Sequence, residues 1–217
     1  MRLTLLLPSV LGLALAAGPA LAQNFGSQGD VAFSADRLFA IHATHIEEER
    51  PAPLGDIETD VSGVGFGWRG PFQPSPYDVP RFAFDFFITD GLNIGATVSY
   101  ASLDVEVNGN EGDGSAFLFA PRVGYVWMFG RVGGFWLRGG LTYHSYNADS
   151  VPIFGYDESG LALTAEPTFV IAPVQHFAFL IGGTLDLSLS GTRDRGTVEN
   201  DVRYRVWGLQ LGLMGWI

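Results

Sequence analysis

The chain has neither cysteine nor lysine, and only 16% of its 217 residues carry a charge. Without cysteine there is no disulfide, no thiolate metal ligand and no N-terminal cysteine to receive a lipid. All twelve basic side chains are Arg, and they face 23 Asp and Glu, for a formal net charge of −11. That balance excludes the basic surface that binding to nucleic acid requires. Past the first 22 residues no stretch reaches the roughly 18 to 20 uninterrupted apolar residues of a membrane-spanning helix. A Gly-x-Ser-x-Gly hydrolase elbow and clustered His ligands are missing as well.

What is present begins with an export signal. Arg2 gives a positive start, Leu3 to Ala17 form a short apolar run, and Ala20-Leu21-Ala22 is a small-residue cleavage site. Residues 1–22 are therefore expected to be a cleaved signal peptide, with a single domain over residues 23–217. Cleavage at Gln23 leaves eleven Arg against 23 acids, a net charge of −12.

The rest of the chain alternates. Trp207, Leu209, Leu211, Leu213 and Ile217 are interleaved with Gly208, Gln210 and Gly212, the period-2 pattern of a strand with one apolar face. Similar segments cover 80–88, 92–103, 115–129, 135–146, 159–172, 176–190 and 202–217, each long enough for a tilted strand to cross a bilayer. Short connectors at 89–91, 130–134 and 173–175 alternate with long polar or acidic ones at 104–114, 147–158 and 191–201. Such alternation of turns and loops is that of an outer-membrane barrel whose short turns face the periplasm.

Parity separates the two faces. In 115–129, Phe117, Phe119, Val123, Tyr125, Trp127 and Phe129 share one side, and Ala116, Ala120, Arg122 and Gly124 the other. In 176–190, Phe177, Phe179, Ile181, Leu185 and Leu187 oppose Gly182, Thr184, Asp186 and Ser188. A soluble sandwich would turn a face rich in Lys and Glu outward. Here the polar face is small and carries about one charge per strand, which suits the narrow, filled lumen of a small barrel. Aromatic residues collect at both strand ends, with Trp127, Phe135, Trp136 and Trp216 near the short turns, and Trp68, Tyr100, Phe117, Tyr143 and Trp207 near the long loops. The expected fold is all-β, an antiparallel up-and-down transmembrane β-barrel.

Segments 28–46 and 58–70 bring the candidates to nine, whereas single-chain bacterial barrels have even strand numbers. Either 58–70 and 80–88 are two parts of one strand interrupted by the Pro-rich stretch Pro71 to Pro80, or 28–46 is not a full barrel strand. A third option folds 28–46 as two strands and gives ten. Eight is preferred, because Gly63, Gly65 and Gly67 weaken 58–70 as an independent strand.

On Pro80-Arg81-Phe82-Ala83-Phe84-Asp85-Phe86-Phe87, the turn Thr89-Asp90-Gly91-Leu92 and the closing amphipathic strand, residues 28–217 resemble the small outer-membrane β-barrel superfamily. That superfamily includes the transmembrane domain of outer membrane protein A and outer membrane protein W. The resemblance implies insertion by the barrel-insertion machinery, which in this family is addressed by a terminal aromatic residue, typically Phe. This chain departs from that pattern by ending in Ile217, with Trp216 before it.

The inward charges are Asp85, Arg122, Arg138, Glu166 and Asp186, joined by Asp36 or Arg37 and by Gln210. Paired with one another they make a plug; left in part unpaired, they would set the selectivity of a narrow polar pathway. His144-Ser145 with Glu166 is the best catalytic grouping on offer, but neighbours in a strand point to opposite faces, so no catalytic residue and no enzyme is expected. His42 and His45, an odd step apart, likewise fall on opposite faces unless a bulge intervenes. No cofactor or metal site is expected within the barrel. The loops form an acidic rim, to which a divalent cation would bridge lipid phosphates, while Arg193, Arg195, Arg203 and Arg205 are candidates for direct contact with lipopolysaccharide.

The expectation is thus a monomeric integral protein of the outer membrane, in contact with its lipid and lipopolysaccharide, with a structural or surface-interaction role. A narrow channel for small solutes or hydrophobic molecules is the alternative, and a lipid-modifying enzyme ranks third.

Overall fold

The computed structural model describes residues 25–51, 53, 55–66, 77, 79–107, 110–130, 132–147, 155–196 and 198–217. The expected signal peptide and Trp68 lie outside the described residues. Nine strands follow one another: β1 (Val31–Glu49), β2 (Ile57–Phe66), β3 (Arg81–Phe87), β4 (Leu92–Val107), β5 (Asn110–Phe129), β6 (Gly133–Asn147), β7 (Asp157–Val174), β8 (Phe177–Asp194) and β9 (Glu199–Trp216). From β3 to β9 each strand pairs antiparallel with the next. β9 then pairs with β1, from Ala32 opposite Trp216 to Glu49 opposite Asp201, and closes the sheet on itself.

Pairing to β1 resolves the odd strand count. Its lower part, Val31 to Asp36, pairs with β3, and its upper part, Phe39 to Glu48, pairs with β2. β2 and β3 therefore occupy one strand position, and the barrel is an eight-membered ring. Among the described residues β2 pairs only with β1, and β4 above Val98 pairs only with β5. Among the described residues the wall therefore carries a seam between β2 and the upper part of β4.

The connector expected at 104–114 is instead hairpin, because β4 and β5 stay in register up to Val107 opposite Asn110. The sequence between them is Asn-Gly, the dipeptide that two-residue hairpin turns favour. At the opposite end Gly91 has a φ of 80°, and a Cβ there would lie 2.9 Å from the carbonyl oxygen of Val126, so this turn demands glycine.

The two faces separate as their parity requires. Phe117, Phe119, Val123, Tyr125, Trp127 and Phe129 are 40–63% exposed, whereas Leu118, Ala120, Arg122 and Val126 are buried. Exposed Phe, Leu, Ile, Val and Trp continue this band around the ring. A continuous apolar belt of this extent is far larger than the patches a water-soluble monomer tolerates, and it is what a lipid-facing wall requires.

Candidate functional site

The lumen is filled in three layers. Its floor is apolar: Phe25, just before β1, reaches in from below and meets Phe87, Trp136 and Trp216 at ring-centroid distances of 5.1, 5.3 and 5.2 Å. Val126, Val170, Leu180 and Met214 complete this cluster. Backbone bonds fasten the segment in place, from Gly91 N to Gly26 O (2.7 Å) and from Gly29 N to Phe87 O (2.9 Å).

Above the floor lie four carboxylates and four guanidinium groups, all buried: Asp36, Asp85, Glu166 and Asp186 with Arg37, Arg81, Arg122 and Arg138. Arg122 donates from Nη1 to Asp36 (2.8 Å) and Glu166 (3.3 Å), and from Nε and Nη2 to Asp85. Arg37 joins Asp186 (2.9 Å) to Glu166 (3.1 Å), and Arg138 contacts Asp36 (3.1 Å) and Glu166 (3.4 Å). The charges cancel as a set, as a cluster withdrawn from water must. Neutral groups extend it: Thr164 donates to Asp186 (2.6 Å), Asn93 donates to Asp85 (2.7 Å), and Trp136 Nε1 donates to Asn93 (2.9 Å). The Arg138 guanidinium also lies 4.5 Å from the Trp136 ring, tying the charged layer to the floor.

Asp85, Arg122, Arg138, Glu166 and Asp186, the five inward charges read from strand parity, all lie in this layer; three further members require more. Asp36 and Arg37 both face inward although they are adjacent, because a bulge shifts the β1–β9 register between Ala35 and Phe39 and Arg37 adopts a φ of 57°. Arg81 shares the parity of Asp85, a signal the sequence carried but did not stress. Gln210 is buried and donates to Gly183 O (3.3 Å), outside the ion cluster.

The third layer was not visible in the sequence. Tyr77, from the chain between β2 and β3, lies fully buried in the lumen, its ring edge-on to His144 (4.9 Å) and Tyr204 (5.7 Å). Arg37 and Arg81 both donate to its carbonyl oxygen. Glu158 accepts from Tyr204 (2.7 Å) and from Arg193 Nε (2.8 Å), and contacts His144 Nε2 (3.2 Å). Higher still, Glu48 accepts from Arg193 (2.7 Å), Arg195 (2.9 Å) and Asn200 (2.9 Å). Burial pushes the Glu48 carboxyl upward, but Arg193, Arg195 and Arg50 outweigh it and hold the group below its ordinary value of 4.5. Its stabilising effect is therefore present above that value and is lost as the pH falls through the lowered one.

Searches of known proteins separate sequence from shape. No family model matches the chain, and no curated protein does. Among solved structures, the outer membrane protein OprG from Pseudomonas aeruginosa superposes with a TM-score of 0.53 at 10% identity, over 88% of this chain and 97% of that one. The fold is that of a small outer-membrane β-barrel. The outer membrane protein AlkL, solved in lipid bilayers, matches with a TM-score of 0.51 at 13% identity, over 93% of this chain and 95% of that one.

Within this barrel the four candidate lipopolysaccharide contacts divide. Arg193 and Arg195 turn onto Glu48 and Glu158 at the mouth, past the bulge that shifts the β8–β9 register between Leu187 and Thr192. Arg203 and Arg205 stay on the outer face, with side chains 56% and 64% exposed. His144 is buried, and Ser145 is its neighbour on the opposite face, as alternation dictates.

His45 sits on the outside of the barrel above Trp207 and bonds Asp60 (2.7 Å) and Glu47 (3.2 Å). The bond to Asp60 is the main reason its pKa lies above the ordinary 6.5, with Glu47 adding to the shift. A raised value means that the pairing stabilises the β1–β2 extension fully below pH 6.5 and loses its effect as the pH rises through the folded value. An NMR titration is expected to place the His45 midpoint above 6.5, and Asp60→Asn should lower it. A wild-type midpoint at or below 6.5 would contradict the pairing.

Proposed function

We propose that the protein is an integral, monomeric barrel of the outer membrane, sealed along its axis, whose role is structural or surface-interacting and not enzymatic. One observation carries this: eight charged side chains from six strands pair across the lumen, each no more than 8% exposed. A selectivity filter needs charges that an ion can reach, whereas these are spent on one another and capped by apolar or aromatic layers on both sides. The apolar outer wall supports the membrane setting. The greasy closing strand β9 is the element offered to the barrel-insertion machinery.

A second reading rests on the seam. At that height β2 and β4 present Val64, Val98 and Tyr100 outward, 48%, 42% and 60% exposed, which favours sideways passage of a small hydrophobic molecule between bilayer and upper lumen. Both readings are tested in one preparation, vesicles holding the refolded protein. Swelling in small sugars is expected to stay at the protein-free rate, and protein-dependent swelling would overturn the seal. Protein-dependent uptake of a hydrophobic dye by vesicles that exclude sugar would select the lateral route.

A further inference from the structure

We infer that the outer face of β9 carries a two-part site for a phosphate-bearing lipid of the outer leaflet, with the headgroup at Arg203 and Arg205 and an acyl chain in a groove below them. The inference rests on the proposed membrane setting, with the long-loop end outward.

Down the outward side of β9 run Arg203, Arg205, Trp207, Leu209 and Leu211, a gradient from charge through an interfacial aromatic to aliphatic. The two guanidinium groups are two residues apart on one face and more than half exposed. Among the described residues each pairs Nη2 with one carboxylate of β1, Glu49 at 3.5 Å for Arg203 and Glu47 at 3.0 Å for Arg205, and a guanidinium carries further N–H donors besides. On the β8 side the partner of Arg205 in register is Leu187, so no carboxylate stands directly opposite it there. Two such guanidinium forks suit a phosphate, which accepts several charge-assisted hydrogen bonds at once.

The second observation is independent of charge. A groove of about 450 Å³ lies in the apolar wall, lined by Phe39, Ile41, Leu209, Leu211 and Pro167 around Gly183. It exists because Gly183, on the outward parity between Ile181 and Leu185, has no side chain. A Cβ at Gly183 would have Pro167 Cγ as its nearest neighbour, at 3.4 Å, an ordinary contact that a side chain there can make without displacing the wall. At about 3.3 Å per residue, Leu209 lies roughly 13 Å along the strand from Arg205, the span from a lipid phosphate to the upper part of its chains. A second copy of this face would set concavity against concavity and leave a void, and an irregular peptide segment would bring unpaired backbone groups into hydrocarbon. A flexible acyl chain has neither defect. The occupant on which both halves agree is one lipid molecule, and lipid A is the phosphate-bearing lipid to test.

The test uses the mature chain refolded into phosphatidylcholine nanodiscs doped with diphosphoryl lipid A, and native mass spectrometry of the released protein reads the retained lipid. Wild type is expected to keep lipid A in preference to phosphatidylcholine. The double variant Arg203→Gln/Arg205→Gln should weaken retention about tenfold, the loss of one or two charge-assisted bonds. Gly183→Leu, which fills the groove and leaves both arginines in place, should weaken it as well. An unaffected double variant would overturn the headgroup assignment. Full competition by inorganic phosphate with an unaffected Gly183→Leu would reduce the site to its headgroup and overturn the two-part form. Each variant is first checked for the heat-modifiable gel mobility of a folded barrel. Should Gly183→Leu fail that check, Gly183→Ala, which needs no neighbour to move far, takes its place. A wild-type chain that does not insert at all counts against the membrane setting itself, and is thereby distinguished from an inserted barrel with no lipid preference.

Discussion

Replacing Arg122 with Met is expected to destabilise the barrel by about 3–5 kcal/mol, the cost of stranding buried charges without their partner. Arg122 touches three carboxylates, on β1, β3 and β7: Asp36, Asp85 and Glu166. Asp36 and Glu166 retain Arg138, but among the described residues Asp85 keeps only the amide of Asn93. Adding Asp85→Asn to the variant should recover part of the loss, because the pair is then removed together and no carboxylate is abandoned. Urea unfolding in lipid vesicles, followed by tryptophan emission, measures both changes. A loss below about 1 kcal/mol for Arg122→Met would mean that water reaches the layer and screens it, as it does exposed pairs.

Trp136→Ala should cost a similar amount, about 3–5 kcal/mol, by a different route. The ring is fully buried in the floor, where Phe25 packs edge-on to it and Phe87 lies tilted against it at 6.0 Å. Its Nε1 donates to Asn93, which in turn holds Asp85, so truncation opens a cavity and also leaves the Asn93 oxygen without its donor. Trp136→Phe should keep most of the packing and lose only the polar link, giving a smaller effect. The comparison is made in the same unfolding assay; equal losses for Ala and Phe would show that the hydrogen bond, and not the packing, dominates.

Much of the architecture was legible because a barrel strand obeys a period of two. Phe117 to Phe129 and Phe177 to Leu187 could be assigned to the outside by counting alone, and Arg122, Glu166 and Asp186 to the inside by the small residues that share their parity. Parity fails where the backbone breaks step. Asp36 and Arg37 read as alternatives, since adjacent residues cannot share a face without a bulge, and nothing local in Ala35-Asp36-Arg37-Leu38 announces one. Tyr77 was hidden for another reason: it lies in a Pro-rich stretch without periodicity, and its place against His144 and Tyr204 depends on contacts from β6 and β9. Arg193 and Arg195 illustrate the limit at the rim, where the register shift in β8 turns them onto Glu48, whereas Arg203 and Arg205 follow regular alternation and stay outside. A filled lumen reports on occlusion, and the arginines on the outer face report on surroundings.

Single-channel recording in a planar bilayer addresses the seal directly. With insertion verified by protease protection, wild type is expected to give no resolvable current steps, because the proposed seal stacks the buried Asp36–Arg122–Glu166 layer on the Phe25–Trp136–Trp216 floor. Steady, protein-dependent conductance steps would contradict a closed lumen.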